Sequence, residues 1–317
     1  MLIESIERAS VRILARRFGR SKTTIMKTIH HAAGLLAKSH EVAAFFRPSW
    51  SGILVVDGKY VRTKTLRSKR FDEGERSRSF MCWLSSVDAG TGDLPHYALA
   101  DEETMIDLVL FFRRLKEIGY PLRVLISDGN ADIPRAARKV YGEGIIHQLC
   151  TRHFIDGLYR KAAEAGFSGD ERTVAIILSI QRVIESDDIE TAAARLEELK
   201  AFPLRHPLHR LLVADFRAHA EELVAHLAHP NLGIPHTTND AESLFHQLGL
   251  RLDPLGQFMN WRYADNYLNA WSLWRRFTPF TDCKGARKKR NKKSPLECAG
   301  CRIKGVDMFK IPRTNQP

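Results

Sequence analysis

Three acidic residues, Asp57, Asp128 and Glu242, sit in three different local sequences, and their types and order suit metal-dependent chemistry. Asp57 interrupts the apolar run Gly52-Ile-Leu-Val-Val-Asp57-Gly58, and Asp128 ends another, Val124-Leu-Ile-Ser-Asp128-Gly129. Glu242 follows Thr237-Thr-Asn-Asp-Ala, a sequence that reads as the first turn of a helix. A carboxylate in or just after a buried strand is costly unless something compensates it. Where several converge, bound divalent metal is the usual compensation, and carboxylate oxygens suit Mg²⁺ or Mn²⁺. A pair of such ions can clamp the attacking and leaving oxygens of a phosphodiester reaction. Any one of the three could instead be a turn or capping residue. Asp128-Gly129 is weak by itself, because Asp-Gly is a common turn, whereas an aspartate in mid-strand at Asp57 is harder to assign to chance.

Other side chains join this set. Cys150-Thr-Arg-His153 has the spacing of half a zinc site, but no second close Cys/His pair lies nearby. A structural role closing a strand against the next helix is an equal reading, as is contact between His153 and a substrate phosphate. Cys283, Cys298 and Cys301 offer only three local ligands where structural zinc takes four, so zinc there is the lesser expectation. Basic residues cluster in two places, Arg62, Lys64, Arg67, Lys69 and Arg70 after the first strand, and Lys284 to Lys293 near the end, including Lys288, Lys289 and Arg290. Both are expected to meet phosphates without reading sequence. A solvated tail is the plainer reading of the second. The aromatic stripe Trp261, Tyr263, Tyr267, Trp271 and Trp274 reads as core rather than as a base-stacking platform.

The elements that must position these residues follow from periodicity. Residues 1–45 read as helical, with Val11, Ile13, Leu14 and Phe18 at helical spacing, a break at Gly19-Arg20, and Ser21 capping a second helix from Lys22 to about Lys38. That is the outline of a helix-turn-helix, with Lys22, Thr23, Thr24 and Lys27 where a recognition helix meets DNA. A small helical hairpin packed on the rest is the alternative. After Pro48-Ser-Trp-Ser-Gly52, strands are expected at Ile53–Val61, Phe80–Val87, Tyr97–Ala100, Leu122–Ser127 and Ile145–Leu149. Helices are expected at Thr104–Ile118 and Pro134–Tyr141. Residues 153–229 read as about four helices, and further helices run from about Asp240 to Gly249 and Phe258 to Phe277. The tail from Lys284 is expected to begin without regular order.

The fold class expected is therefore α/β, a mixed sheet flanked by helices. The organisation reads as a helix-turn-helix region over 1–47, a catalytic core over 48–153, an all-helical insertion over 154–232, the last part of the core with the Glu242 helix over 233–280, and a basic tail over 281–317.

A chain of 317 residues with net charge +12 suggests a polyanionic partner, most often nucleic acid. Five unevenly spaced cysteines are not a disulfide framework. The N-terminus has neither a signal nor a transit pattern, and no apolar run approaches a membrane span. The chain reads as cytoplasmic, in a reducing compartment.

Taken together, these residues resemble the Mutator-type transposases of bacterial insertion sequences, and more broadly transposases with an RNase H-like core. The matches are Val55-Val-Asp57-Gly-Lys59, Ser127-Asp128-Gly129 followed by Ile133-Pro-Arg-Ala136, His147-Gln-Leu-Cys150-Thr-Arg-His153, and Thr237-Thr-Asn239-Asp-Ala-Glu242, over roughly residues 50–280. The resemblance implies an RNase H-like sheet, Asp57, Asp128 and Glu242 as metal-binding catalytic triad, and Cys150 and His153 as an associated motif. It also implies two Mg²⁺ ions, cleavage at transposon ends, and strand transfer by a DNA 3′-hydroxyl without a covalent protein–DNA intermediate. The partners implied are double-stranded DNA, as terminal inverted repeats and target, and a second copy of the chain, since two ends must be held together. A bacterial, nucleoid-associated setting follows. The segment before the helix-turn-helix is short for the family, as expected of a compact member or a truncated copy. Two alternatives stand beside this: an RNase H-like nuclease without strand transfer, and a transposase-derived DNA-binding protein that has lost catalysis.

Overall fold

The computed structural model describes residues 1–7, 9–62, 80–204, 206–252 and 257–313. Lys64, Arg67, Lys69 and Arg70 of the first basic cluster lie outside the described residues. In chain order the helices and strands are α1 (Leu2–Ile6), α2 (Val11–Phe18), α3 (Lys22–Gly34), α4 (Ser39–Phe46), β1 (Ile53–Arg62), β2 (Phe80–Asp88), β3 (Tyr97–Ala100), α5 (Met105–Glu117), β4 (Val124–Ser127), α6 (Asp132–Tyr141) and β5 (Ile146–Leu149). Then come α7 (Thr151–Glu164), α8 (Glu171–Ile184), α9 (Ile189–Lys200), α10 (Pro207–Leu223), α11 (Ala225–Ala228), α12 (Asn239–Leu252), α13 (Trp261–Phe277) and α14 (Pro295–Cys298). The protein is thus mixed α/β, with strands of both parallel and antiparallel pairing. It forms two compact units, Met1–Pro121 with Asn239–Pro317, and Leu122–Thr238. No described helix is long and apolar enough to cross a membrane.

In the first unit β1, β2 and β3 pair antiparallel, with Asp57 opposite Ser85 and Lys59 opposite Trp83. The N-terminal helices belong to the same unit. Ser10 and Ser21 cap α2 and α3 by accepting from the Ile13 and Thr24 amides, and Gly19 closes α2 with φ +61°, a left-handed value that favours glycine. Of the apolar residues expected to face inward on α2, only Leu14 is fully buried. Ile13 and Phe18 remain 42% and 41% exposed. The second helix stops at Gly34 rather than near Lys38. The Lys38 amide donates instead to Glu41 Oε2 (2.7 Å), which caps the start of α4 from one side.

The aromatic stripe of α13 packs inward over most of its length: Trp271 and Tyr267 are buried and Tyr263 stacks on His30 at 3.7 Å, whereas Trp261 at its start is 41% exposed. Asn269 donates to the Ala37 carbonyl and Tyr267 to that of Ser5, which seats the N-terminal helices on α13. The turn after β2 is held by two buried aspartates. Asp88 accepts from Ser51, Thr91 and Tyr120, while Asp93 takes the Trp50 indole N–H and a bidentate pair from Arg276 at 2.8 Å each. The final segment, expected to start without regular order, is organised. Gly285–Arg290 forms a short 3₁₀ helix, Phe280 bridges to Asn291, and Ser294 caps α14 in a capping box with Glu297.

The second unit begins earlier than the helical insertion expected at 154, because β4 and β5 belong to it. These strands pair parallel, with Ser127 beside Leu149. Helices α7 to α10 enclose their own core, centred on Ile176, Ile180, Leu212 and Phe216. Gln148 ties β5 to that bundle: its side-chain oxygen accepts from the His226 amide (2.9 Å) and its nitrogen donates to the Leu223 carbonyl (3.1 Å).

Candidate active site and nucleic-acid interface

In the first unit, β-strand alternation puts Asp57 and Lys59 on one face of β1. Helix α12 packs on that face. The Lys59 ammonium lies 5.9 Å from the Phe245 ring centroid, and Trp83, the register partner of Lys59, meets the same ring edge-on at 5.7 Å. Gly249 also faces Lys59: a Cβ built there would lie 3.8 Å from the ammonium. Residues 242, 245 and 249 share one stripe of a helix. Glu242 therefore heads the stripe of α12 that faces the strand face bearing Asp57. The carboxylate also falls in the first helical turn, where the backbone dipole favours negative charge. Asp57 Oδ1 accepts from the Gly58 amide at 2.8 Å.

Glu103, which the sequence did not single out, comes up to the same strand. A Cβ on Gly58 would lie 1.8 Å from Glu103 Oε1, so the glycine leaves room for that carboxylate one residue from Asp57. The nearby Cys82 thiol is pushed well up, chiefly by burial and then by the charge of Glu103.

Asp128 belongs to the second unit, together with Cys150 and His153. Its Oδ1 accepts from the Asn130 amide (3.1 Å), closing a turn as β4 ends. Behind it runs a chain of hydrogen bonds: Ser127 Oγ to His147 Nε2 (2.9 Å), and His147 Nδ1 to Glu222 Oε1 (3.0 Å). Asp128, His147, His153 and Glu222 line one cavity of about 390 Å³, which Arg138 and Arg160 also enter. Cys150 is fully buried behind it and does not line it. Thr238 donates to its sulfur from both amide (3.4 Å) and hydroxyl (3.3 Å), and lies 3.5 Å from His153 Nδ1. Burial opposes the Cys150 thiolate, but hydrogen bonds from His153 and Thr238 outweigh it and hold the thiol below its ordinary value. The Cys-x-x-His pair thus binds across the start of α7 to Thr238, at the end of the unit.

The hydrogen bond from His147 is the main cause holding Glu222 down to about 2, from an ordinary 4.5, with His219 adding to it. A carboxylate depressed in the folded state contributes stability that is present above its unfolded value and lost as pH falls through its folded one. The stability advantage of the wild type over Glu222→Gln should therefore be full above about pH 4.5 and gone near pH 2. Denaturant melts of both proteins across that window measure it. An advantage that does not change with pH would remove the linkage.

Among the described residues, no group of three or more His, Cys, Asp or Glu side chains is arranged to hold a metal ion. The fit of divalent metal rests on donor chemistry. Asp57, Asp128 and Glu242 present hard carboxylate oxygens, the donor type Mg²⁺ and Mn²⁺ take.

Lys22, Thr23, Thr24 and Lys27 are exposed on α3, while Ile25 and Ile29 turn inward. Arg12, Arg16 and Arg20, at i,i+4 spacing, add exposed cations beside them. Their four-residue spacing is legible in the chain, on the polar side of the helical pattern where apolar periodicity carries no signal. Arg62, Lys288 and Lys289 are exposed as well. Arg290 is the exception in its run. Its side chain is buried and donates to the Ala89 and Gly90 carbonyls, so it holds the turn after β2 and is not presented to solvent.

No protein-family model matches the chain, and no curated protein is significantly similar to it.

Proposed function

We propose that this protein is a DDE-type transposase, which cleaves the ends of an insertion sequence and joins them to target DNA. The observation that carries the reading is the mid-strand carboxylate Asp57 beneath the α12 stripe headed by Glu242. An acid on a strand and an acid on a helix laid across it offer a pair of hard oxygen donors. Asp128, whose Oδ1 accepts from the Asn130 amide at the end of β4, would be the third acid. The order of the three along the chain is that of the family the sequence resembles.

In this mechanism the acids that the resemblance implies, Asp57, Asp128 and Glu242, would be the ligands of two divalent ions, Mg²⁺ or Mn²⁺. Bound there, such ions activate water or a 3′-hydroxyl and neutralise the leaving oxygen. The protein's own part is to aim the acids. The Gly58 and Asn130 amides donate to Asp57 and Asp128 and fix the orientation of their carboxylates. Lys22 and Lys27 on α3, Arg12 and Arg16 on α2 and Arg20 between them, with Arg62, Lys59, Lys288 and Lys289, attract the DNA backbone. Thr23 and Thr24 offer hydroxyls to it, and Lys64 extends the cluster in sequence. The helix-turn-helix role of α2 and α3, the RNase H-like kinship of the sheet, assembly as a dimer or higher on paired ends, and residence on the nucleoid all belong to this reading.

The test is incubation with DNA carrying the inverted repeats that flank the gene, in Mg²⁺ or Mn²⁺. The reading expects 3′-hydroxyl ends and joined products. Cleavage without joining would make the protein a nuclease. Binding without cleavage under either metal would make it a DNA-binding protein derived from a transposase.

A further inference from the structure

A second cavity, of about 750 Å³, lies in the first unit between α12, α13 and the segment from Thr278 to Arg290. Its lining holds five cations, Arg251, Arg275, Lys284, Arg287 and Arg290, against two carboxylates, Asp240 and Asp282. Arg287 already pairs with Asp240. Cations gathered into a concave, partly buried space repel one another unless an anion completes the set. Burial has pushed Arg275 down to about 10, a mark of that cost.

The wall is also aromatic. The Arg275 guanidinium lies 4.4 Å from the Phe280 centroid and that of Arg251 5.5 Å from Trp274. The donor Arg290 Nε and the acceptor Asp240 Oδ2, both in this wall, are buried without a hydrogen-bond partner among the described residues, so the polar set of the wall is incomplete as it stands.

We propose that this cavity binds a nucleotide, with Arg251, Lys284 and Arg287 on its phosphate and Trp274 beside its base. The volume falls in the range of small-molecule sites. Asp240 and Ser243, which line it, bracket Glu242 in the first turn of α12. If the transposase reading holds, the occupant is a nucleotide of a single DNA strand led toward that acid. The cavity's chemistry alone fits a free nucleotide equally.

The experiment is a titration of the full-length protein, in EDTA and followed by tryptophan fluorescence, with three probes: inorganic phosphate, 2′-deoxyadenosine 5′-phosphate, and a single-stranded tetradeoxyadenylate. Saturable binding is expected for the nucleotide or the oligonucleotide, and weaker binding for phosphate. The double variant Lys284→Ala/Arg287→Ala should lose at least about tenfold in affinity. Lys304→Ala/Lys310→Ala, at exposed positions of the same unit outside the cavity, should lose less than about threefold. Lys284→Ala alone, at an exposed position, should move the same way by less, which guards against a folding defect in the double variant. Tighter binding of the oligonucleotide assigns the site to a DNA strand, and tighter binding of the mononucleotide to a free ligand. Equal losses in both double variants would overturn the proposal in favour of diffuse charge. Phosphate binding as tight as the nucleotide's, or no saturable binding, would overturn it as well. With metal chelated no phosphodiester chemistry enters, so failure here leaves the cleavage test standing.

Discussion

Asp57→Asn is expected to lower metal-dependent cleavage by about 10³-fold or more while leaving affinity for end DNA within about threefold. A loss of that size corresponds to roughly 4 kcal/mol of transition-state stabilisation. The substitution keeps shape and removes charge. Asparagine Oδ1 can still accept from the Gly58 amide, as Asp57 Oδ1 does at 2.8 Å, so the strand has no reason to shift. What disappears is a negative oxygen for a hard cation. The exposed cations of α2 and α3, which attract DNA in this account, lie on other elements and keep their charge. Gel-shift and single-turnover cleavage on the same preparation separate the two effects. Parallel losses of binding and cleavage would show that Asp57 acts through the fold rather than at the scissile phosphate.

Arg276→Met should cost the fold about 3–5 kcal/mol, the largest stability loss expected of any single change here. Both members of the Arg276–Asp93 pair are almost fully buried, at 1% and 0% exposure. Removing the arginine leaves the buried Asp93 carboxylate without its bidentate partner, with the Trp50 indole N–H still donating to it. The pair links α13 to the turn after β2, and β2 carries β1 and therefore Asp57. Denaturant unfolding measures the loss. The double replacement Asp93→Leu/Arg276→Met should recover much of it, because no uncompensated charge then remains. A double variant as unstable as the single one would mean that the turn needs Asp93 for reasons other than charge.

The elements bearing the acids were readable from the chain because each depends on local pattern. The apolar run Ile53–Val56 before Asp57 marks a strand that forms as expected and runs one residue further, to Arg62. Thr104 was read as helical and instead caps α5, and Asn260 caps α13 three residues after the expected start. Such shifts come from side-chain caps, which periodicity does not see. Long-range pairing was beyond reach. His147 meets Glu222 across 75 residues, and Arg276 meets Asp93 across 183, and nothing local marks either partner. The final segment misled for a related reason. A run of like charges reads as solvated, but Arg290 is drawn inward by the bare carbonyls of a turn two hundred residues away. On α2 the error was opposite: Ile13 and Phe18 fit a helical stripe, yet α2 is short and buries only Leu14.

The most direct test of the central claim is metal rescue at the scissile phosphate. End DNA with a single phosphorothioate at the cleavage site would be compared with unmodified DNA in Mg²⁺ and in Mn²⁺. Sulfur is a poor ligand for Mg²⁺ and a better one for Mn²⁺. The account predicts cleavage of the modified strand that falls sharply in Mg²⁺ and returns in Mn²⁺, with the unmodified strand cut in both. Equal cleavage of the two strands in Mg²⁺, or no cleavage of either in any metal, would contradict it.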